Sequence, residues 1–274
     1  MSLITINKEK CVKCGICIDS CPTMIINKDK DGYPVINLEA VCISCGHCSA
    51  VCPNSALDNK NAPLSKQTGL NKFPVIDFKT AENFLRSRRS IRCFKNDAVD
   101  KNKIVELLNI GRFAPTGTNS QNISYLVIDD KNQLKSITEL VVEWMRNEIK
   151  NQNPITKFYE GFVRLYDSTK KDIILHGAPV LVLTLIPTGF QMGYGSSYNS
   201  IAYIELFATS MSLGSCWAGF VFLCCAANYK PLLDLLKIDA SKQSVSGGIM
   251  LGYPKYTYKR LVDRRPLNVE WLNK

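Results

Sequence analysis

Four cysteines, Cys11, Cys14, Cys17 and Cys21, follow one another at spacings of two, two and three residues and are closed by Pro22. The pattern recurs 31 residues on, as Cys42, Cys45, Cys48, Cys52 and Pro53, with Gly15 and Gly46 superposed. Such a duplication makes each half one small strand-and-helix unit built round whatever its cysteines hold. Three cysteines two residues apart wrap a tight turn, so their sulfurs converge on three corners of a cubane cluster and leave the fourth open. The fourth cysteine starts the next turn and points away, and the proline after it removes a backbone donor and turns the chain. Zinc competes for paired Cys-x2-Cys, but it takes four ligands from two pairs and leaves the third cysteine and the repeated proline without a role. Two [4Fe-4S] clusters are therefore expected, with Val12, Ile16, Ile18, Ile43 and Val51 as apolar cover.

The segment resembles bacterial two-cluster ferredoxins, every motif position being filled. In that pattern the fourth cysteine ligates the other cluster. The resemblance thus implies Cys11, Cys14, Cys17 and Cys52 on one cluster, and Cys21, Cys42, Cys45 and Cys48 on the other. His47, one of only two histidines, is expected at the surface or behind the ligands. Twelve cysteines with no basic start, apolar stretch and cleavage site before them speak for metal and redox work, not for disulfides, and for a cytoplasmic protein. No apolar run reaches the length of a membrane span, so no membrane is expected.

At 274 residues the chain has room for this small domain and one sizeable core. Residues 1–58 are expected to form the ferredoxin-like domain, 59–77, rich in Asn, Lys, Pro, Ser and Gly, a linker, and 78–274 a second domain. Within it Thr80 can cap a helix to about Arg88, and Asp100 another with Ile104, Leu107 and Leu108 on one face. Ser124 to Ile128, Ala178 to Ile186 and Gly247 to Leu251 have the composition of strands. Leu134 to Lys150 and Ile155 to Lys171 are expected as helices divided by Pro154, and Ser200 to Leu213 as a buried helix.

Three segments of the second domain carry chemistry. Arg86 to Phe94 packs guanidinium forks and hydroxyls into one or two turns, which suits a phosphate, although a solvated basic helix end has the same composition. Ala114 to Asn122 is a turn that can present amides to a ligand edge, or merely a turn. Leu213 to Phe220 carries Gly214 and Gly219, which permit close backbone approach, or simply stop a helix.

The order of these three, followed by Leu251-Gly252-Tyr253-Pro254 and an arginine-rich tail, resembles the nitroreductase family of FMN enzymes from roughly Phe78 to Trp271. The resemblance implies an α+β fold, a sheet flanked by helices, in an intertwined homodimer with FMN at the interface. It implies that Arg88, Arg89, Ser90 and Arg92 hold the flavin phosphate and ribityl chain. Pro115, Thr116, Asn119 and Gln121 would meet the ring edge and the dimer interface, and Trp217, Ala218 and Gly219 would lie over the ring. Arg260 and Arg264 match the late phosphate ligands, with Arg265 an equal neighbour. Asn122 and Ile123 depart from the proline and aromatic usual after the glutamine.

The formal net charge of +10 raises nucleic acid as a partner. Two clusters at about −2 each and a flavin phosphate at about −2 bring the loaded chain to about +4, and nucleic acid is not expected. No Gly-x-Gly-x-x-Gly follows a strand, so a Rossmann nicotinamide domain is not expected; an external ferredoxin or similar donor and a small-molecule acceptor are. A flavin converts single electrons to pairs. The two readings are thus a reductase of nitro, quinone or other conjugated electrophiles, and an electron-transfer or redox-sensing module without its own organic substrate. His176 is expected at a strand entrance, and no catalytic side chain is expected. Cys93, Cys216, Cys224 and Cys225 are expected as small hydrophobes, with Cys216 near the ring.

Overall fold

The structure, a computed structural model, describes residues 2–70, 72–152 and 156–272. By contact the chain divides into two units, one of residues 1–75 with 118–120, the other of 76–117 with 121–274. The helix break attributed to Pro154 lies outside the described residues.

In the first unit, β1 (Ile4–Ile6) and α1 (Ile16–Asp19) are followed by β2 (Ile26–Lys28) and β3 (Pro34–Ile36). Then come α2 (His47–Ala50) and β4 (Leu57–Asn59). β1 pairs antiparallel with β4, Ile4 opposite Asn59, so the first strand of one half closes on the last strand of the other. β2 and β3 form a hairpin with Ile26 opposite Ile36. The duplication reaches down to single dihedral angles. Lys13 and Ser44, Gly15 and Gly46, and Met24 and Ser55 all have positive φ at the repeat offset. Gly15 and Gly46 cap α1 and α2 at φ 83° and 72°, a left-handed conformation that glycine adopts without steric cost. The apolar core is small: Ile25, Ile26 and Leu57 with the buried Cys17 and Cys48, edged by Ile4, Ile6, Ile18 and Ile36.

The second unit opens with α3 (Phe78–Ser87) and α4 (Lys101–Gly111). Asp77, not Thr80, caps α3, its carboxylate accepting from the Thr80 N–H at 3.0 Å. A carboxylate ahead of the helix reaches a free N–H that a hydroxyl inside the first turn does not. Asp100 caps α4 by accepting from the Asn102 and Lys103 amides. β5 (Ser124–Ile128), α5 (Lys131–Lys150), α6 (Thr156–Thr169) and β6 (Val180–Pro187) follow. Next come α7 (Met192–Ser210), β7 (Gly214–Trp217), α8 (Gly219–Ala226), α9 (Lys230–Leu235) and β8 (Gln243–Gly252).

The four strands form one antiparallel sheet in the order β5-β6-β8-β7. β6 is apolar on both faces because helices cover both. Leu181, Leu183 and Leu185 enter the core that also holds α5, α8 and α9; Val180 and Val182 enter the one that holds α4 and α7. Alternate residues of a strand point to opposite faces, so one run of Val and Leu serves two cores.

Three segments differ from expectation. α7 starts at Met192, not Ser200, although Gly193 and Gly195 each lower helix propensity by about 1 kcal/mol. Its early turns are held by buried serines: Ser196 donates to the Met192 carbonyl at 2.9 Å, and Ser197 bonds Ser246 of β8 at 2.6 Å. Residues 214–217 do not end that helix but form β7, bonded to β8. Gly214 is required there, since a Cβ would stand 2.6 Å from Ile91 Cγ1 and 2.9 Å from Pro254 Cγ. Val51 is exposed and gives the cysteines no cover, because it caps the outward end of α2.

Candidate functional site

The eight motif cysteines gather in two groups around two cavities of the first unit. Cys11, Cys14, Cys17 and Cys52 line one, with Val12, Ile16 and Ile18. Cys21, Cys42, Cys45 and Cys48 line the other, with Ile43. Each cavity thus takes three cysteines from one half of the repeat and the fourth from the other half. Among the described residues no three His, Cys, Asp or Glu side chains close on a point as a single ion requires. Four cysteines around each cavity are the ligand number and type a [4Fe-4S] cubane takes. N–H groups are directed at the sulfurs: the Ala56 amide donates to Cys52 Sγ at 3.2 Å, and the Asn59 Nδ2 to Cys42 and Cys48 at 3.9 and 4.0 Å. Burial, with the neighbouring Cys14, Cys52 and Cys11 thiols adding to it, pushes the Cys17 thiol up. Burial also raises Cys48, against the Asn59 amide. At Cys21 burial acts upward, but hydrogen bonds from the Ile25 backbone and from Thr23 outweigh it, and the thiol is lowered. His47 is exposed.

In the second unit, a pocket forms where the loop after α3 crosses the end of β7. Ser87, Arg88, Arg89, Ile91 and Lys95 line it with Gly214, Ser215, Tyr253, Tyr256, Thr257 and Tyr258. The backbone fixes this junction: Ser90 bridges Ser215, the Ile91 N–H donates to the Ser215 carbonyl at 2.8 Å, and Phe94 bridges Pro254. Glu205 of α7 lies 3.6 Å from the Arg88 guanidinium and accepts from Ser215 Oγ at 3.0 Å, holding Arg88 in place. The Arg89 guanidinium lies over the Tyr258 ring, 5.6 Å from its centre, and its Nε is buried with no partner. A buried N–H donor without an acceptor costs about 1–3 kcal/mol, and Arg88, Arg89 and Lys95 make the lining of the pocket basic.

The other expected flavin residues are placed as follows. Ser90 faces Cys216 and Arg92 is exposed; neither lines the pocket. Trp217 ends β7, edge-on to Tyr198 at 5.4 Å. The Ala218 N–H is committed to the Gly248 carbonyl at 2.8 Å, and Gly219 starts α8, whose first turn has no side-chain cap. Pro115, Thr116 and Gln121 lie beside the start of α7: Asn199 donates to the Pro115 carbonyl, the Gly117 N–H to Ser196 Oγ, and the Gln121 N–H to Thr116 Oγ1. Asn119 falls in the three-residue stretch grouped with the first unit. Arg260 and Arg264 are exposed in the irregular tail, as is Arg265, and none lines the pocket. The tail's contribution is Tyr256, Thr257 and Tyr258, which sequence reasoning missed in favour of its arginines; the closely spaced Tyr253, Tyr256 and Tyr258 were the available signal. Ser215 and Lys95 were also missed, and no motif marks them.

Acid–base groups are few. Burial holds the His176 imidazole below its usual value, Arg92 pushing the same way and Asp172 opposing. Cys216 is buried and its thiol raised by burial, with Arg92 and Ser90 drawing it down.

The nitroreductase family profile matches residues 85–253. The chain belongs to the nitroreductase family. A 4Fe-4S dicluster domain matches residues 10–57, so this member of the nitroreductase family carries an iron–sulfur domain in the same chain. Its fold is shared by solved structures of low identity. A nitroreductase with bound FMN from Bacteroides fragilis NCTC 9343 is 17% identical, with 69% of this chain and 98% of that one aligned at TM-score 0.56. A nitroreductase with bound FMN from Desulfitobacterium hafniense DCB-2 is 18% identical, with 71% and 100% aligned at TM-score 0.56. A BluB-like flavoprotein from Clostridium difficile 630 is 19% identical, with 68% and 94% aligned at TM-score 0.56. A comparison with curated proteins gave no match. No helix among the described residues is long and apolar enough to cross a membrane.

Proposed function

We propose that this nitroreductase-family protein is an FMN-dependent oxidoreductase in which electrons run from two [4Fe-4S] clusters through FMN to a nitro, quinone or other conjugated electrophile. The observation that carries the reading is the sorting of eight cysteines into two foursomes, in a chain whose other unit is a nitroreductase. When bound, the clusters supply electrons singly and FMN accepts them singly and passes them on in pairs.

The protein's own residues bind and orient. Cys11, Cys14, Cys17 and Cys52 hold one cluster, and Cys21, Cys42, Cys45 and Cys48 the other. Arg88 and Arg89 grip the flavin phosphate, with Arg89 Nε as the donor that lacks an acceptor among the described residues. Glu205 keeps the Arg88 fork turned toward the pocket. Ser90, Arg92, Trp217, Ala218 and Gly219 continue the flavin site along β7. Pro115, Thr116, Asn119 and Gln121 belong to the ring edge of a homodimer, with Arg260 and Arg264 as late phosphate ligands. The dimer is supported by large apolar side chains left exposed on one chain, among them Phe78, Leu85, Leu267 and Trp271. With His176 held neutral by burial and no other histidine in the unit, protons come from solvent or substrate. An external low-potential carrier such as a ferredoxin supplies the electrons.

The test is anaerobic purification with iron, sulfide and flavin quantified per chain, then mixing dithionite-reduced protein with nitroaromatics and quinones under argon. Stoichiometric reoxidation is the expected result. Full cofactor content with no reoxidation by any such acceptor removes the reductase reading.

A further inference from the structure

The two cysteine loops are copies of one another, but their surroundings are not. At the repeat offset, Lys28, the last residue of β2, corresponds to Asn59, the last residue of β4. Lys28 is exposed, whereas Asn59 is 1% exposed. After Lys28 the chain turns into the β2–β3 hairpin. After Asn59 it folds back: Asn59 bridges Ala62, and Gln67 donates to the Ala62 carbonyl at 2.7 Å and to Ser49 Oγ at 2.9 Å. Asn61 Nδ2 donates to Ser44 Oγ at 2.9 Å. Residues 59–67 are therefore no free linker but a clip over the second cysteine loop, with no counterpart in the first half.

Inside that clip the orientation of the Asn59 amide is fixed. Its Oδ1 accepts from the Asn61 backbone N–H at 2.9 Å, so its Nδ2 must face the other way, where Cys42 and Cys48 share it. A donor amide buried among sulfurs stabilises negative charge on them. The position corresponding to Cys48 in the first loop is Cys17, and no side-chain amide reaches its sulfur among the hydrogen bonds of the described residues.

We propose that Asn59 is a tuning residue for the second iron–sulfur cluster alone, its side-chain amide raising the reduction potential of the cluster held by Cys21, Cys42, Cys45 and Cys48. Reduction adds one electron to a cluster, and the extra negative charge spreads onto its sulfurs. An N–H dipole aimed at those sulfurs stabilises the reduced form more than the oxidised one. The two clusters thereby become electronically distinct although their ligand spacings are identical. The inference rests on the cluster reading given above.

The experiment is an EPR-monitored potentiometric titration of anaerobically purified full-length protein, wild type against Asn59→Asp. The variant keeps the shape of the side chain but replaces the donor with a carboxylate oxygen. With iron content equal in the two proteins, one of two waves is expected at lower potential and the other unmoved. Both waves at their wild-type positions would overturn the proposal, as would an equal shift of both. Should the variant lose half its iron, wild-type protein grown with side-chain 15N-asparagine carries the test. Pulsed EPR of the reduced protein is expected to show a weak nitrogen coupling from an asparagine amide on one cluster, and its absence overturns the assignment. Wild-type protein that binds no iron would instead sink the cluster reading itself.

Discussion

Arg89 is the residue on which the proposed flavin pocket turns, because its guanidinium lies over Tyr258 and its Nε is buried with no hydrogen-bond partner among the described residues. A charge-assisted bond to an anion is worth about 1.5–3 kcal/mol. Arg89→Ala is therefore expected to weaken FMN binding roughly 10- to 100-fold, measured by fluorescence titration of flavin-stripped protein. Affinity equal to wild type would remove Arg89 from the site. Cys224 and Cys225 behave oppositely. Burial pushes the Cys225 thiol up to about 12 and raises Cys224 as well, so neither is a nucleophile in the folded protein. The folded state keeps these protons while the unfolded chain loses them above the usual value of 9.0. Stability should fall as pH rises through 9 toward 12, by about 1.4 kcal/mol per pH unit per thiol. Urea midpoints between pH 8.5 and 10.5 should flatten in Cys225→Ala, and an unchanged slope would count against the burial argument. The sequence marks the guanidinium cluster as a candidate phosphate site, but not which of its forks lines a pocket. That is decided by Glu205, distant in sequence, and by the pairing of Ser90 with Ser215.

Among the elements, β7 was the least legible, because it is four residues long and its glycine and serine carry no alternating pattern. It exists because β8 offers an edge and because Gly214 lets Ile91 and Pro254 approach. Gly214→Ala is expected to cost about 1–3 kcal/mol in urea unfolding through the overpacked contact, and to loosen the adjacent pocket at Ser215. α7 was half legible. Ile201, Ile204 and Ala208 repeat as a helix should, whereas its first two turns are glycine- and serine-rich, and their buried serines are tolerated because Ser196 bonds the Met192 carbonyl and Ser197 bonds Ser246, itself bonded to Thr184. Ile204→Ala, at a fully buried position of α7 facing Gly111 of α4, should cost about 2–5 kcal/mol by thermal or urea unfolding. β6, by contrast, was plain from its run of Val and Leu.

Over the whole molecule, the two units are held together internally by different means. The second has two apolar cores on either side of a sheet; the first has a handful of apolar side chains around two cavities. So small a core supplies little stability by itself, and ligation has to supply the rest. Removing iron with chelator and oxidant should expose residues 1–75 to limited proteolysis while 76–272 stays protected, read by mass spectrometry. Equal protection of both would show that the first unit folds without metal. The dicluster segment was visible in the spacing of eight cysteines. The clip at 59–67 was not, because its Asn, Ala and Gln have the composition of a linker and act only through what they reach.

The exchange of Cys21 and Cys52 between the two halves bears on how such a chain is made. The foursome of Cys21, Cys42, Cys45 and Cys48 is complete only once translation has passed Cys48, and that of Cys11, Cys14, Cys17 and Cys52 only once it has passed Cys52, since each takes one member from the far side of the repeat. A nascent first half presents Cys11, Cys14 and Cys17 around an open corner, while its Cys21 belongs to the other foursome. The pairing of β1 with β4 contributes to both compartments, since Ile6 and Leu57 line one and Ile4 and Asn59 the other.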